Sequence, residues 1–459
     1  MTTEYTRAYW ERALAETTPK GGIFIDGKLT PAETGLTFTR IRPMDGKPGG
    51  QIARGGIADI DRAVSSARKA FASGIWRKKE PLEKKKIMLR WADLIRGHAE
   101  ELALLETIDT GKPVMASLTV DVRLAADCIQ YYAEMCDKLY DEIAPTGPND
   151  RALVRKVPLG VIGAITPWNY PMIIETWKLG PALAAGNSVV LKPAEQSSLT
   201  AVRLAELATE AGLPDGVFNV VTGYGEEVGK ALACHMDVDM IAFTGSTEVG
   251  KLIMGYAAST NLKRVALELG GKSPLIVFGD ADLDAAASAV AWGCFYNSGE
   301  TCHASTRLLA ERGVVDALVA KIKEVTAREI TLAHPLEPSA QIGALIEDAH
   351  LGKVLDMVEA GLREGAKRAF GGERVMGETG GYYVSPGVFF APSNNASLAR
   401  QEIFGPILTV IPFDGEEEAV RFANDTLYGL AGAVFTTDMS RAHRVSEDIQ
   451  AGTVWINCY

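Results

Sequence analysis

Cysteine and histidine are both scarce in this chain, and their spacing excludes two common kinds of site. The six cysteines are irregularly spaced and form no CxxC pair, so a disulfide framework is not expected. The six histidines include no HExxH sequence or other ligand spacing. The sequence therefore gives no support for a metal site.

Long apolar runs and an excess of basic residues are also absent. No apolar run reaches the roughly 18 residues needed to span a bilayer, so a membrane protein is not expected. A net charge of −11 and a pI near 5.3 argue against nucleic-acid binding. The first residues lack the basic-then-apolar pattern of a signal peptide, and we therefore expect a cytoplasmic location.

The length and composition are those of an ordinary globular protein with more than one core. A chain of 459 residues is expected to form two or three domains. Hydrophobic residues make up 47% of the chain and charged residues 23%, which is typical of globular proteins.

Short β-rich runs alternate with helical segments in the middle of the chain. The pattern predicts strands over 161–165, 188–191, 218–221 and 240–244, and helices over 174–185, 199–211 and 226–234. This alternation predicts a doubly wound parallel sheet, and a second α/β region follows up to about residue 435. Such sheets bind ligands at the carboxyl ends of their strands, where the polar segments 167–169, 192–195 and 244–246 fall.

Two glycine-containing turns follow predicted strands. Residues 223–229 spell GYGEEVG, which is one residue longer than the usual dinucleotide-binding pattern. That segment is either a phosphate-binding turn or only a glycine turn between strand and helix. In the second turn, residues 243–247, free N–H groups and the Ser246 hydroxyl could hold a pyrophosphate at the positive end of a helix.

Three residues carry the groups that oxidise an aldehyde through a covalent thioester. Cys302 ends the stretch NSGETC, Glu268 lies in LELGGK, and Asn169 ends TPWN. A thiolate at Cys302 would attack the aldehyde carbon, and the Asn169 amide with the Cys302 N–H would hold the resulting oxyanion. Glu268 would deprotonate the water that hydrolyses the thioester. The alternatives are a buried structural cysteine and a structural carboxylate in a turn.

Together with the run ASTR at 304–307, these segments resemble the aldehyde dehydrogenase superfamily, from about residue 20 to the last residue. The resemblance implies an α/β fold with a doubly wound parallel-sheet NAD-binding domain and a second α/β catalytic domain. The first domain is expected over 1–128 and 148–268, and the second over 269–459. A small β oligomerisation arm is expected over 129–147, in a homodimer or homotetramer.

Members of the superfamily continue beyond the position of Tyr459, through a glycine loop beside the pocket and a strand that crosses to a neighbouring subunit. A chain that ended at Tyr459 would lack the partner strand of the arm and part of the wall of the substrate tunnel. Assembly and full activity of such a chain are then in question.

The resemblance also implies NAD as the cofactor, with NADP as the alternative. Lys192 and Glu195 would hold the adenosine ribose; the alternative is a solvated pair in a loop. A carboxylate at this position repels the 2′-phosphate of NADP and therefore favours NAD. In the segment QEIFGP, Glu402 would hold the nicotinamide ribose and Phe404 would pack beside it. The other expected cofactor contacts are Ile165, Thr166, Pro167, Trp168, Gly225, Gly229, Phe243, Thr244, Gly245, Ser246 and Leu269.

Four aromatic residues, Tyr170, Trp177, Tyr296 and Trp455, are candidates for the substrate pocket. They form either an apolar lining or a cation–π box for an amine or quaternary ammonium group, with Asp121 as a counter-charge. Such a contact stabilises a bound cation by roughly 0.5–2 kcal/mol. The resemblance favours the aminoaldehyde and betaine aldehyde branch, with γ-glutamyl-γ-aminobutyraldehyde enzymes the most similar.

The favoured prediction is an NAD-dependent aldehyde dehydrogenase that acts on a small ω-amino or ammonium aldehyde. The presence of Glu268 favours a free carboxylic acid as product, since relatives that transfer the acyl group to coenzyme A commonly lack this residue. One alternative is a semialdehyde or aliphatic aldehyde dehydrogenase. The other is a catalytically silent homologue that serves as a binding or structural subunit.

Overall fold

The computed structural model describes residues 5–459, which are organised around two seven-stranded sheets. The strands are β1 (Ile23–Ile25), β2 (Lys28–Thr30), β3 (Thr37–Ile41), β4 (Pro48–Ala53), β5 (Glu142–Ala144), β6 (Ala152–Val154), β7 (Val161–Ile165), β8 (Ser188–Lys192), β9 (Phe218–Val220), β10 (Met240–Thr244), β11 (Arg264–Glu268), β12 (Pro274–Val277), β13 (Arg307–Glu311), β14 (Lys367–Phe370), β15 (Arg374–Val375), β16 (Tyr383–Val384), β17 (Gly387–Phe390), β18 (Ile407–Phe413), β19 (Ala431–Phe435) and β20 (Thr453–Ile456).

Helices cover both sheets and connect most of the parallel strands. The α-helices are α1 (Arg7–Glu16), α2 (Ile57–Ser73), α3 (Pro81–Gly97), α4 (Ala99–Thr110), α5 (Val114–Ala116), α6 (Val122–Met135), α7 (Pro171–Ala184), α8 (Leu199–Ala211), α9 (Lys230–Cys234), α10 (Thr247–Ala258), α11 (Leu283–Phe295), α12 (Val315–Glu329), α13 (Asp348–Arg363), α14 (Ser397–Arg400), α15 (Glu416–Asn424) and α16 (Met439–Asp448).

The first sheet has the order β11-β10-β7-β8-β9-β1-β2, and its strands from β11 to β9 are parallel. All five residues of β7 are buried, and they alternate between two cores. Ile162 and Ala164 pack into the core that contains residues of α3, α4, α6 and α8, whereas Val161 and Ile165 face residues of α2. A parallel strand that is buried on both faces reads as a continuous apolar run. The predicted doubly wound parallel sheet is confirmed.

The second sheet has the order β14-β17-β18-β13-β12-β19-β20 and is parallel except for β14. Helices α11 and α12 cover one face, and α15 and α16 cover the other. This layer structure confirms the predicted second α/β region. The limit predicted between residues 268 and 269 coincides with the end of β11, although the domain limits as such remain a prediction.

A two-stranded ribbon, β5 paired with β6, lies outside both sheets. Its apolar side chains Ile143 and Leu153 are exposed, as in a surface that could pack on another subunit. The ribbon extends over residues 142–154, whereas residues 129–135 of the predicted arm belong to α6. The predicted boundary at 129 therefore falls inside a helix, and the role of the ribbon in assembly remains a prediction. No helix within residues 5–459 is long and apolar enough to traverse a lipid bilayer.

A buried ion pair connects the β3–β4 hairpin to α4. Arg40 Nη1 lies 3.0 Å from Asp109 Oδ1, and both side chains are fully buried. The same nitrogen donates to the carbonyl of Ile108 at 2.7 Å. Burial raises the pKa of Asp109 to about 6 even beside this guanidinium, so the carboxylate depends on its partner.

We expect Arg40→Ala to lower the free energy of unfolding by about 3–5 kcal/mol, because it leaves a buried carboxylate without its cation. Arg42→Ala is the matched control, since it removes a pair with Asp45 whose side chains are 22% and 19% exposed, and it should cost about 1 kcal/mol. Thermal and denaturant unfolding of both variants would measure the difference. Equal losses in the two variants would contradict the assigned importance of the buried pair.

Candidate active site

The polar loops of the first sheet begin side by side at its carboxyl edge. In the parallel register Ile165 is paired with both Lys192 and Phe243, and Thr244 is paired with Glu268. The chain segments that follow β7, β8, β10 and β11 therefore start at neighbouring points. The sequence predicted this shared position, which is the usual ligand-binding edge of such a sheet.

An open groove of about 1400 Å³ runs along this edge. Twelve of the residues predicted to bind the cofactor line it: Ile165, Thr166, Pro167, Trp168, Lys192, Glu195, Gly225, Gly229, Phe243, Thr244, Gly245 and Ser246. The other three, Leu269, Glu402 and Phe404, line an adjoining cavity of about 660 Å³ that also contains Cys302. The structure thus brings all fifteen together.

The groove offers donors and acceptors that fit a dinucleotide. The buried Lys192 ammonium group lies 2.8 Å from Glu195 Oε2, so the two side chains present a charged pair to one end of the groove. Ser246 is the N-cap of α10, which leaves the positive end of that helix beside the groove. Residues Gly225–Gly229 form a π-helical turn, and the α-helix begins only at Lys230.

The loop that carries Cys302 follows α11 through a turn of unusual backbone conformation. Asn297, Ser298 and Gly299 all have positive φ, at 52°, 54° and 73°. A Cβ on Gly299 would lie 2.2 Å from the backbone carbonyl of Gly405, so only glycine fits at this approach. The Cys302 loop and the segment around Glu402 and Phe404 are therefore held against each other.

Asn169 joins the first sheet to the Cys302 loop. Its side-chain amide donates to the carbonyl of Glu300 at 2.8 Å, and the amide of Asn297 donates back to the Asn169 carbonyl at 3.1 Å. The side chain is buried and lines the cavity with Cys302. One Asn169 N–H is thus committed to the loop, and the other is the group available to an oxyanion.

The Cys302 thiol is half-buried in an environment that disfavours its ionisation. Burial, together with the carboxylates of Glu402 and Glu268, raises the pKa of Cys302 to about 11, whereas backbone N–H groups oppose the rise. The sulfur is therefore protonated at neutral pH unless a neighbouring base removes the proton.

Glu268 is the last residue of β11, and its side chain is exposed rather than part of the cavity lining. Its charge acts on the thiol of Cys302 and on the ammonium group of Lys178. Glu402, in contrast, lines the cavity and accepts a hydrogen bond from the N–H of Gly271 at 3.0 Å. A Cβ on Gly270 would lie 2.1 Å from Glu402 Oε2, which explains a glycine there.

Comparison with known proteins agrees with this geometry. Residues 30–459 match the model of the aldehyde dehydrogenase family. The chain belongs to this family. It is 49% identical over 456 residues to the NADP/NAD-dependent aldehyde dehydrogenase PuuC of Escherichia coli (strain K12), an alignment that covers 98% of this chain and 90% of PuuC.

Two solved structures are similar over almost the whole chain. The γ-glutamyl-γ-aminobutyraldehyde dehydrogenase of Burkholderia cenocepacia J2315 has a TM-score of 0.97 at 52% identity, and the match covers 99% of this chain and 92% of that structure. The indole-3-acetaldehyde dehydrogenase AldA of P. syringae, a mutant in complex with NAD⁺ and IAA, has a TM-score of 0.98 at 48% identity with the same coverage. The predictions of an aldehyde dehydrogenase and of NAD as its cofactor are confirmed.

This aldehyde dehydrogenase places Tyr170 beside a buried ion pair. The Tyr170 hydroxyl is 2.8 Å from the Thr301 hydroxyl, and Lys112 Nζ lies 4.0 Å from the centroid of the Tyr170 ring. Lys112 also donates to Asp121 at 2.6 Å, with both side chains buried. The counter-charge expected of Asp121 is therefore already engaged by a lysine of the protein.

The other predicted pocket aromatics occupy different surroundings. Tyr296 is largely buried and follows α11, whereas Trp177 on α7 is 56% exposed. Trp455 lies on β20, with its ring 5.0 Å from the ring of Tyr459. Tyr170 contacts Thr301 and Trp455 packs near His303, the two neighbours of Cys302 in the chain, and a single substrate pocket formed by these aromatics remains a prediction.

Several residues at the site were not predicted from the sequence. Lys178, on α7, donates to the Thr244 hydroxyl at 2.7 Å, and burial lowers its pKa to about 8. His350 and Lys353, on α13, line the cavity that contains Cys302. The His350 ring packs on Trp168, and burial lowers its pKa to about 4. The sequence signal for Lys178 was a lysine in the largely apolar helix α7, and no signal marked α13.

We expect Gly299→Ala to lower stability by at least about 1–2 kcal/mol, because a side chain would add a positive-φ penalty to the overlap with Gly405. The displaced loop should also slow alkylation of Cys302 by iodoacetamide. Gly255→Ala in α10, where a Cβ meets open space, is the control and should be neutral or slightly stabilising. Unfolding curves and alkylation rates would check both variants, and a Gly299→Ala protein that behaved like the control would contradict the packing argument.

Proposed function

We propose that this protein oxidises a small ω-aminoaldehyde to the free carboxylic acid with NAD, through a thioester on Cys302. The aldehyde dehydrogenase activity follows from the family, and the proposal concerns the substrate and the role of each residue. The observation that carries it is the convergence of Cys302, Asn169 and the dinucleotide groove at one sheet edge. The name of the B. cenocepacia relative supports an aminoaldehyde substrate.

In the proposed reaction Cys302 bonds to the aldehyde carbon and forms a tetrahedral thiohemiacetal. The oxyanion accepts hydrogen bonds from the free N–H of the Asn169 amide and from the Cys302 backbone N–H. Collapse of this adduct expels a hydride and leaves a thioester. Bound NAD supplies the hydride acceptor, and Lys192, Glu195, Glu402 and the start of α10 would hold it.

Glu268 is the proposed base for the hydrolytic step. Its carboxylate stands at the end of β11, within electrostatic reach of the thiol, and its exposed side chain has room to turn towards a water molecule. Hydrolysis releases the carboxylic acid and restores the Cys302 thiol. The proposed product is therefore the free acid rather than an acyl-coenzyme A.

The proposed ammonium-binding feature is the set of aromatic rings on the substrate side of Cys302. Tyr170 already carries the Lys112 ammonium group on its ring, with Asp121 as the counter-charge, so the proposed substrate site uses the other rings. Trp455 and Tyr459 present further rings next to the nucleophile's loop.

An aryl-substituted aldehyde is the second candidate, because the same rings would pack on an indole and a similar structure is that of an indole-3-acetaldehyde dehydrogenase. Betaine aldehyde and simple aliphatic aldehydes remain alternatives. A homodimer or homotetramer in the cytoplasm also remains a prediction, for which the exposed ribbon β5–β6 is the structural support.

Replacing the nucleophile should abolish turnover. We expect Cys302→Ala to lower kcat by at least about 10⁴-fold, because no other group can form the thioester. Cys294→Ala is the matched control: that thiol is fully buried in the core of the second sheet and should be dispensable for turnover. NADH formation measures both, and NAD binding confirms that each variant is folded. Turnover that survived in Cys302→Ala would refute the thioester mechanism. It would not distinguish an aminoaldehyde from an aryl-substituted aldehyde as the substrate.

The substrate class can be tested by comparing kcat/KM for γ-aminobutyraldehyde, betaine aldehyde, indole-3-acetaldehyde and propanal. An ammonium group held on an aromatic ring should favour the cationic substrates over propanal by about 2- to 30-fold per contact. Trp455→Leu should reduce this preference while turnover of propanal is retained. A preference for indole-3-acetaldehyde would support the second candidate, and a preference for propanal would overturn the ammonium site.

A further inference from the structure

The residue before Cys302 is held by a side chain from the first sheet. The buried Thr301 shares a hydrogen bond of 2.8 Å between its hydroxyl and that of Tyr170, the residue that precedes α7. The peptide bond between Thr301 and Cys302 carries the N–H that the proposed mechanism assigns to the oxyanion. A contact that fixes Thr301 therefore also constrains one of the two oxyanion donors.

Tyr170 is in turn held by a buried ion pair. Lys112, just after the end of α4, has its Nζ 4.0 Å from the centroid of the Tyr170 ring and 2.6 Å from Asp121 Oδ2. The side chains of Lys112 and Asp121 are both fully buried, and a desolvated cation is attracted strongly to the face of an aromatic ring. Asp121, Lys112 and Tyr170 thus form a chain of contacts that ends on the Thr301 hydroxyl, and we call these three side chains the Thr301 brace.

The preceding residue, Glu300, is fixed from other directions. Its carbonyl accepts from the Asn169 amide at 2.8 Å, and its carboxyl group accepts from the N–H of Ile346 at 3.0 Å. Burial raises the pKa of Glu300 well above its usual range, whereas the N–H of Ile346 and the charge of Lys112 oppose the rise. Lys112 therefore acts on both residues before the nucleophile, on Thr301 through Tyr170 and on Glu300 through its charge.

We propose that Lys112 and Tyr170 are positioning residues that orient the Thr301–Cys302 peptide so that its N–H meets the oxyanion. This inference rests on the proposed function, in which Cys302 is the nucleophile. In this role neither residue transfers a proton or bonds to the aldehyde. Donors stabilise an oxyanion most when they are held in place before the reaction, and a displacement of about 1 Å can cost about 10²-fold in rate. The Thr301 brace therefore contributes to kcat and not to the binding of NAD.

The test compares two substitutions of Thr301 that differ in the hydroxyl group. Thr301→Val keeps the shape of the side chain but loses the bond to Tyr170, and we expect it to lower kcat by about 10- to 10²-fold. Thr301→Ser, which restores a hydroxyl, should recover most of that loss. The substrate is propanal, since it carries no cation for the aromatic rings. Tyr170→Phe keeps the ring on Lys112 and should match Thr301→Val, and the double variant should lose no more than either single variant.

A second readout separates positioning from a general loosening of the loop. Alkylation of Cys302 by iodoacetamide displaces iodide and forms no oxyanion, so its rate should stay within about 3-fold in Thr301→Val. The KM for NAD should also be unchanged. Turnover and alkylation that fell together, or losses in Tyr170→Phe and Thr301→Val that added in the double variant, would show that the bond only packs the loop.

The cation of the Thr301 brace is tested by Lys112→Met, which should also lower kcat. Because this change leaves Asp121 buried without its partner, Lys112→Met/Asp121→Asn serves if the single variant folds poorly. Lys84→Met is the matched control, since it removes another buried lysine, on α3, whose Nζ lies 3.5 Å from the carbonyl of Ala184. The control should retain its kcat, and a retained kcat in the folded paired variant would overturn the role of Lys112.

The failure of this inference is distinguishable from the failure of the proposed function. Turnover that survived in Cys302→Ala would refute the nucleophile and with it the proposed function. An inactive Cys302→Ala beside a Thr301→Val variant of normal kcat would refute the Thr301 brace alone.

Discussion

The site depends on a pair of amide hydrogen bonds that join the carboxyl edge of the first sheet to the loop before β13 of the second sheet. The Asn169 amide, from the loop after β7, donates to the carbonyl of Glu300, and the amide of Asn297 donates to the carbonyl of Asn169. Both amides are buried, where an unpaired donor would be costly. This exchange fixes the loop of the second sheet relative to the groove of the first. It also accounts for the strained backbone at Asn297 and Ser298, which is tolerated because the surrounding contacts determine it.

Burial then sets the resting charge of the groups near the sulfur. It raises the pKa of Cys302 to about 11, lowers that of Lys178 to about 8 and lowers that of His350 to about 4. The thiol of Cys302 and the imidazole of His350 are therefore neutral at neutral pH. A site of this kind stabilises charge where it forms during the reaction, because its hydrogen-bond donors are already held in place.

The sequence predicted more of the cofactor groove than of the substrate side, for a physical reason. Lys192, Thr244 and Glu268 end parallel strands, and parallel register alone places their loops beside one another. On the substrate side, Asp121 pairs with Lys112, and Tyr170 receives that lysine on its ring. No local sequence pattern predicts such pairs, because they depend on how α4, α6 and α7 pack. The predicted start of the arm at residue 129 was wrong because it came from the family resemblance. In the structure α6 continues through this position to Met135.

By itself, the sequence determined the strand and helix order, the two α/β layers and the identity of Cys302, Glu268 and Asn169 as the chemical candidates. Those features depend on short-range periodicity and on motifs whose residues are neighbours in the chain. Only the tertiary structure decided that the Glu268 side chain is exposed and that Asn169 has one N–H already committed. It also decided that Lys178 and His350 belong to the site and that the Tyr170 hydroxyl is bonded to that of Thr301. These facts depend on contacts between segments far apart in sequence, where burial and packing, rather than local propensity, select the conformation.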